Sequence, residues 1–168
     1  MNFCAAFLAT LSFIATANDN SGGLDEQARQ AAAVGLLTGH QPTTVRDGLG
    51  RTSLRIDWHG DNATFKDELG RTVGKATKSG NSIRFSDGLG RSDGHANVDK
   101  DKVTFYDSLG RRQGEATRSG SDIRFRDSLG RSSGSASTSG SSVRFQDSLG
   151  RSSGSASTTT KKDPKKKK

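Results

Sequence analysis

The sequence predicts an all-β architecture of six two-stranded repeats, an antiparallel meander curled by its own twist, with one short N-terminal helix. Three observations carry this. The motif Asp-x-Leu-Gly-Arg begins at Asp47, Asp67, Asp87, Asp107, Asp127 and Asp147, a period of 20 residues without insertion or deletion. Upstream, apolar residues alternate: Val45, Phe65, Phe85, Phe105, Phe125 and Phe145 stand two before each Asp, and Thr43, Ala63, Ile83, Val103, Ile123 and Val143 four before it. That is the period-two pattern of a half-buried strand. Downstream, units two to six place a Gly and then an Ala two residues on, as in Gly74 and Ala76, so a second strand presents one nearly bare face.

The elements follow in chain order. Residues 3–17 are uncharged and apolar and close on Ala15-Thr16-Ala17, a small-x-small pattern. This reads as a secretory signal peptide over residues 1–17, although Met1-Asn2 carries no basic side chain. The run is shorter than the ~20 residues of a membrane-spanning helix, so the mature chain is expected to lack a transmembrane segment and to be secreted or periplasmic. The lone Cys4 lies inside the run, which leaves the mature chain without a thiol. Residues 18–42 form a linker holding a helix from Leu24 to Leu37, rich in helix formers, acidic at its start and ended by Gly39. Its expected role is to cover an open end of the repeat array.

Within residues 43–158 each unit is two strands of about six residues and two turns. In Asp-x-Leu-Gly the carboxylate accepts from backbone N–H groups just ahead and Gly takes a positive φ. Ser79-Gly80, Ser119-Gly120 and Ser139-Gly140 supply the return turns. Unit one is an internal test of packing: where strand-one positions shrink to Thr43 and Val45, strand-two positions grow to Leu54 and Ile56. A reciprocal exchange of volume is what one shared, close-packed face demands, with Phe lying over Gly in later units. A β-solenoid, stacking the Asp and Arg residues into ladders, is the alternative that meets the same facts; hairpin-type turn chemistry favours the meander.

Hydrophobic residues make up 29% of the chain, against roughly 45–50%, counting Gly, in an ordinary domain. A thin core can stay continuous only because its residues recur so regularly. The net charge is +8, of which residues 161–168, six lysines and Asp163, hold +5. Lys161, Lys162, Lys165, Lys166, Lys167 and Lys168, in a tail over residues 159–168, are therefore the expected polyanion-binding residues, acting by counterion release. Arg84, Arg124 and Arg144 mark a second expected ligand face on the outward side of the strands, suited to sulfated or phosphorylated glycans. No cofactor and no metal are expected. His40, His59 and His95 share no ligand spacing, no carboxylate pair flanks a nucleophile, and each motif Asp has an Arg beside it that disfavours calcium. Trp58, beside a turn in unit one, is expected to seal an edge rather than hold a ligand.

The segment Phe105-Tyr106-Asp107-Ser108-Leu109-Gly110-Arg111 resembles the core of the YD repeats of bacterial Rhs-type and insecticidal-toxin proteins. The likeness spans residues 43–156; Phe65, Asp67, Gly70 and Arg71 follow the pattern, with Lys66 in place of the tyrosine. It implies a surface or secreted bacterial protein of spiralling β-hairpins, with carbohydrate binding in some relatives. The chain is too short to enclose a toxin and has no toxin domain attached, so encapsulation is not implied.

Together these features predict an exported, non-enzymatic binding or display module whose tail engages anionic envelope polymers or glycans, with nucleic acid reached only through the tail. Two other expectations stand beside it: self-association into an extracellular structural assembly through strand edges, and, should residues 1–17 not direct export, a nucleic-acid-associated protein.

Overall fold

Strand-forming Val, Ile, Thr and Phe alternate with charged and hydroxyl residues, and a glycine-bearing turn folds the chain back after almost every strand. The computed structural model describes Leu24 and residues 26–160; the expected signal segment and residues 161–168 lie outside the described residues. Helix α1 (Glu26–Thr38) leads into twelve strands: β1 (His40–Asp47), β2 (Thr52–His59), β3 (Asn62–Lys66), β4 (Thr72–Ser79), β5 (Ser82–Asp87), β6 (Ser92–Asp99), β7 (Lys102–Tyr106), β8 (Arg112–Ser119), β9 (Asp122–Asp127), β10 (Ser132–Ser139), β11 (Ser142–Asp147) and β12 (Ser152–Thr160). The first and last strands extend a few residues beyond the predicted repeat boundaries.

Each strand pairs antiparallel with its sequence neighbours, and β12 pairs with β1 from His40↔Thr160 to Asp47↔Gly154. The sheet is thus a closed barrel. Two expectations are refined here: the curled meander closes fully on itself, and the solenoid alternative fails. The turns explain the second of these. In every motif the Gly N–H donates to the Asp carbonyl and the Asp N–H donates to the Arg carbonyl, at 3.0 and 2.9 Å in the first copy, with Gly50 at φ +81°. This is a three-residue hairpin closed by a left-handed glycine, which returns the chain antiparallel beside itself. At the other mouth two-residue loops such as Gly80-Asn81 join Ser79 to Ser82. There Lys100, at φ 47°, stands where other copies have Gly60, Gly80, Gly120 and Gly140.

Closure follows from the stagger. Phe65 faces Gly74, and Gly74 faces Asp87, two residues beyond Phe85, the copy of Phe65. The register therefore climbs two residues per repeat, roughly twelve around the ring, equal to the number of strands, which sets a strand tilt of about 36° and a backbone radius of about 11 Å. Closure also leaves no edge strand among the described residues, so edge-to-edge joining has no surface to act on.

The predicted Phe-over-Gly pairing is present. Phe65, Phe85, Phe105, Phe125 and Phe145 face Gly74, Gly94, Gly114, Gly134 and Gly154, while in unit one Val45 faces Leu54. All these side chains point into the barrel and are buried.

Helix α1 does not cover an end of the array; it runs inside the lumen. Its residues Ala28, Ala31, Ala32, Ala33, Val34, Gly35 and Leu37 are buried on every side, the mark of an enclosed helix. Its partners stand on opposite walls. Ser53 on β2 donates to Gln27 at 2.9 Å, Arg29 pairs with Asp93 on β6 at 3.0 Å, and Arg118 on β8 donates to the Leu37 carbonyl. A closed barrel offers no edge for a cap, whereas a ring of this radius would be hollow without an insert, and a helix ~10–12 Å across fills it. Trp58 donates to the Pro42 carbonyl at 2.6 Å and lies against Gly35, so it packs the C-terminal half of the helix inside the ring; the sheet edge it was expected to seal does not exist in a closed barrel.

Candidate binding surfaces

Two mouths and one outer wall are open to partners. The six Asp-x-Leu-Gly-Arg turns form one mouth, called the upper mouth here. In each, one Asp oxygen accepts from the Leu and Arg backbone N–H groups, and the other accepts from the Arg Nε, as at Asp87 with distances of 2.9, 2.8 and 2.6 Å. The Asp and Arg of all six motifs form ion pairs, between 2.6 and 2.8 Å. Calcium would have to displace an arginine from every one, and no cluster of three potential ligands occurs among the described residues.

These contacts depress the six carboxyls below the ordinary Asp value. At Asp47, Asp67, Asp87 and Asp127 partial desolvation pushes upward most strongly but is outweighed by hydrogen bonds from the motif arginine and leucine. At Asp107 and Asp147 the arginine backbone N–H is itself the largest influence. Because the folded-state values lie below the unfolded value of 3.8, the unfolded chain takes up protons first as acid is added. The turns' contribution is complete above that value and is lost as pH falls through the lowered ones. Thermal melts are expected to show stability falling as pH drops below the ordinary Asp value of 3.8, and an Arg111→Met variant a shallower fall. A melting temperature that stays constant below that value would contradict this account of the turns.

Just inside the upper mouth the register slips by one residue in each unit: Phe65 faces Gly74 but Lys66 faces Thr72, leaving Val73 extra. Such bulges re-aim side chains. Ser53 and Asp93 at equivalent positions meet the start of α1, and Asp93 also accepts from the Leu24 N–H at 2.7 Å. Between α1 and strands β7 to β10 lies a cleft of about 350 Å³ lined by Glu26, Gln30, Phe125, Arg126 and Arg131 among others. Several of its charges are already engaged, Arg29 by Asp93 and Arg131 by Asp127.

The outer wall is polar, with Arg55, Lys75, Arg84, Arg124, Arg126 and Arg144 exposed, unlike the apolar band of a lipid-facing barrel. The structure does not bring the three predicted arginines onto one face. Arg124 on β9 and Arg144 on β11 stand two strands apart, each beside a hydroxyl residue, Thr117 and Ser137. Arg84 is on β5, six strands from β11 and so on the opposite wall. There it neighbours His95, which stacks on Tyr106 of β7 with ring centroids 4.7 Å apart and 9° between planes. That stacked pair was not anticipated from sequence; only the single tyrosine and a repeat position held by histidine hint at it.

Strand β12 starts at the upper mouth and ends at Thr160 at the lower one, so the chain passes to the lysine residues at the lower mouth. The chain matches no protein-family profile, no curated protein and no solved structure.

Proposed function

We propose that the protein is an exported, non-enzymatic binding module in which a rigid barrel carries a polycationic tail to anionic polymers of the cell envelope or its surroundings. The observation that supports this most is the route of β12, whose last residue, Thr160, precedes the six lysines of residues 161–168 at one mouth of a body with a polar wall. A charged run leaving one mouth of a closed barrel reaches a polymer without the barrel having to unfold. The likeness to YD repeats supports the same reading, an envelope or secreted protein with glycans as one class of partner. Arg124 and Arg144 offer such a glycan a secondary contact on the wall.

The test is binding of the chain to an immobilised sulfated polysaccharide across a salt series. With six lysines engaged, affinity is expected to fall about a thousandfold between 50 and 200 mM salt, and removal of residues 161–168 to abolish most of that dependence. Binding and salt slope left unchanged by the truncation would refute the role of the tail.

A further inference from the structure

The six motif leucines have no role in the packing described above. Leu49, Leu69, Leu89, Leu109, Leu129 and Leu149 are 72–80% exposed, one at the tip of each upper-mouth turn. Every tip is fixed by the same contacts: the Asp carboxylate binds the Leu N–H, and the next Gly is left-handed at φ 79–81°. These leucines therefore form a preorganised crown rather than a scatter of loose side chains. Beside each one, an arginine 65–74% exposed uses one edge of its guanidinium for the Asp, and the remaining N–H groups are available to an oxyanion.

We propose that this crown seats the upper mouth on a lipid bilayer, with leucines entering the headgroup boundary and arginines meeting lipid phosphates. Two facts point to lipid instead of a second copy of the chain. First, adjacent tips are spaced by two strands, roughly 10 Å, around an open mouth. Isolated apolar fingers of this kind form no continuous, close-packed patch of the sort a protein interface is centred on, but a deformable interface accepts them, and Leu beside Arg is the composition of interfacial anchors. Second, Leu24 is held at this same mouth by Asp93 and by the bare face of Gly74. The chain preceding it, with its apolar run at residues 3–17, thus joins the barrel on the crown side, and six residues, 18–23, can span at most about 20 Å. In a chain that keeps residues 1–17, a membrane holding that run would lie opposite the crown; once the run is cleaved, the leucines and arginines of the crown are what remains to meet the bilayer. This proposal is independent of the lysine tail, which leaves from the other mouth.

The experiment uses the full chain carrying Leu109→Trp or Leu49→Trp as reporters, with vesicles of phosphatidylcholine and phosphatidylglycerol, some containing brominated acyl chains. The expected result is a blue shift of reporter emission and quenching by the brominated lipid, while Trp58, packed against the helix at the lower mouth, is unaffected. In a second arm Leu49, Leu89 and Leu129 are all changed to Ser. Because these tips are 74–80% exposed, the melting temperature should change little, while reporter quenching at Leu109→Trp drops at least severalfold. Three results would overturn the proposal. Co-sedimentation with vesicles but no reporter shift would mean the apolar run alone holds the membrane. A concentration-dependent rise in mass that disappears in the triple variant would mean the crown joins two copies. Absence of any vesicle association would remove it altogether.

Discussion

Phe65→Ala is expected to lower the unfolding free energy by about 3–5 kcal/mol and the melting temperature by roughly 10–20 °C for a domain of this size. Phe65 is fully buried, and it lies over Gly74 on one side and beside Ile56 on the other. Removing the ring loses its own burial and leaves a void that neighbouring strands, bonded on both sides, cannot collapse to fill. The reciprocal exchange of unit one offers no rescue at this place. A Cβ added at Gly74 would lie 2.6 Å from both the Leu24 side chain and the Ser86 carbonyl oxygen, so Gly74→Val is expected to make the Phe65→Ala variant worse. Denaturant titration of the two single variants and the double decides the matter. A Phe65→Ala loss under about 1 kcal/mol, the range of a surface change, would mean that the Phe-over-Gly pairs do not hold the barrel together.

The second large effect concerns the slimness of the inserted helix. Ala32→Leu should destabilise by about 3 kcal/mol, the upper end of ordinary overpacking, because Ala32 is completely enclosed and the wall around it is a closed ring. An open sheet could spread to admit three more carbons; this barrel can widen only by breaking a strand pair. Glu26→Leu places the same side chain in the exposed first turn of α1 and should stay within about 0.5 kcal/mol of the parent. Thermal melts of the pair separate enclosure from helix propensity, since leucine is a good helix former in both places. Equal melting temperatures for the two variants would show that the helix is not held in the lumen.

Much of this fold was legible because the repeat writes the same instruction six times. The Asp carboxylate and left-handed Gly of each motif specify a hairpin locally, and Phe65 against Gly74 can be inferred from the swapped volumes of Val45 and Leu54. Closure could not be inferred that way, since it depends on a two-residue stagger arising where the bulges at Val73 and its counterparts meet the turns, and no local pattern displays it. The helix position had a signal that was missed. Asp93, Arg118 and Trp58 each break the repeat, and each touches one end of α1 or the residues packed against it. Departures from a repeat mark where something other than the next repeat is in contact. Among the binding surfaces, Arg84, Arg124 and Arg144 looked alike in a linear alignment, and only the curvature of a complete ring sets Arg84 apart from the other two.

The constant stagger per unit has an evolutionary consequence. A tandem array can gain or lose a 20-residue copy by unequal recombination with every hairpin still well formed, yet each copy changes the barrel radius by about 2 Å. One extra copy would leave a gap around α1, and one fewer would crush its alanines. The enclosed helix therefore acts as a gauge of copy number, so that a chain with five or seven units fails by misfit at its axis although each unit is sound.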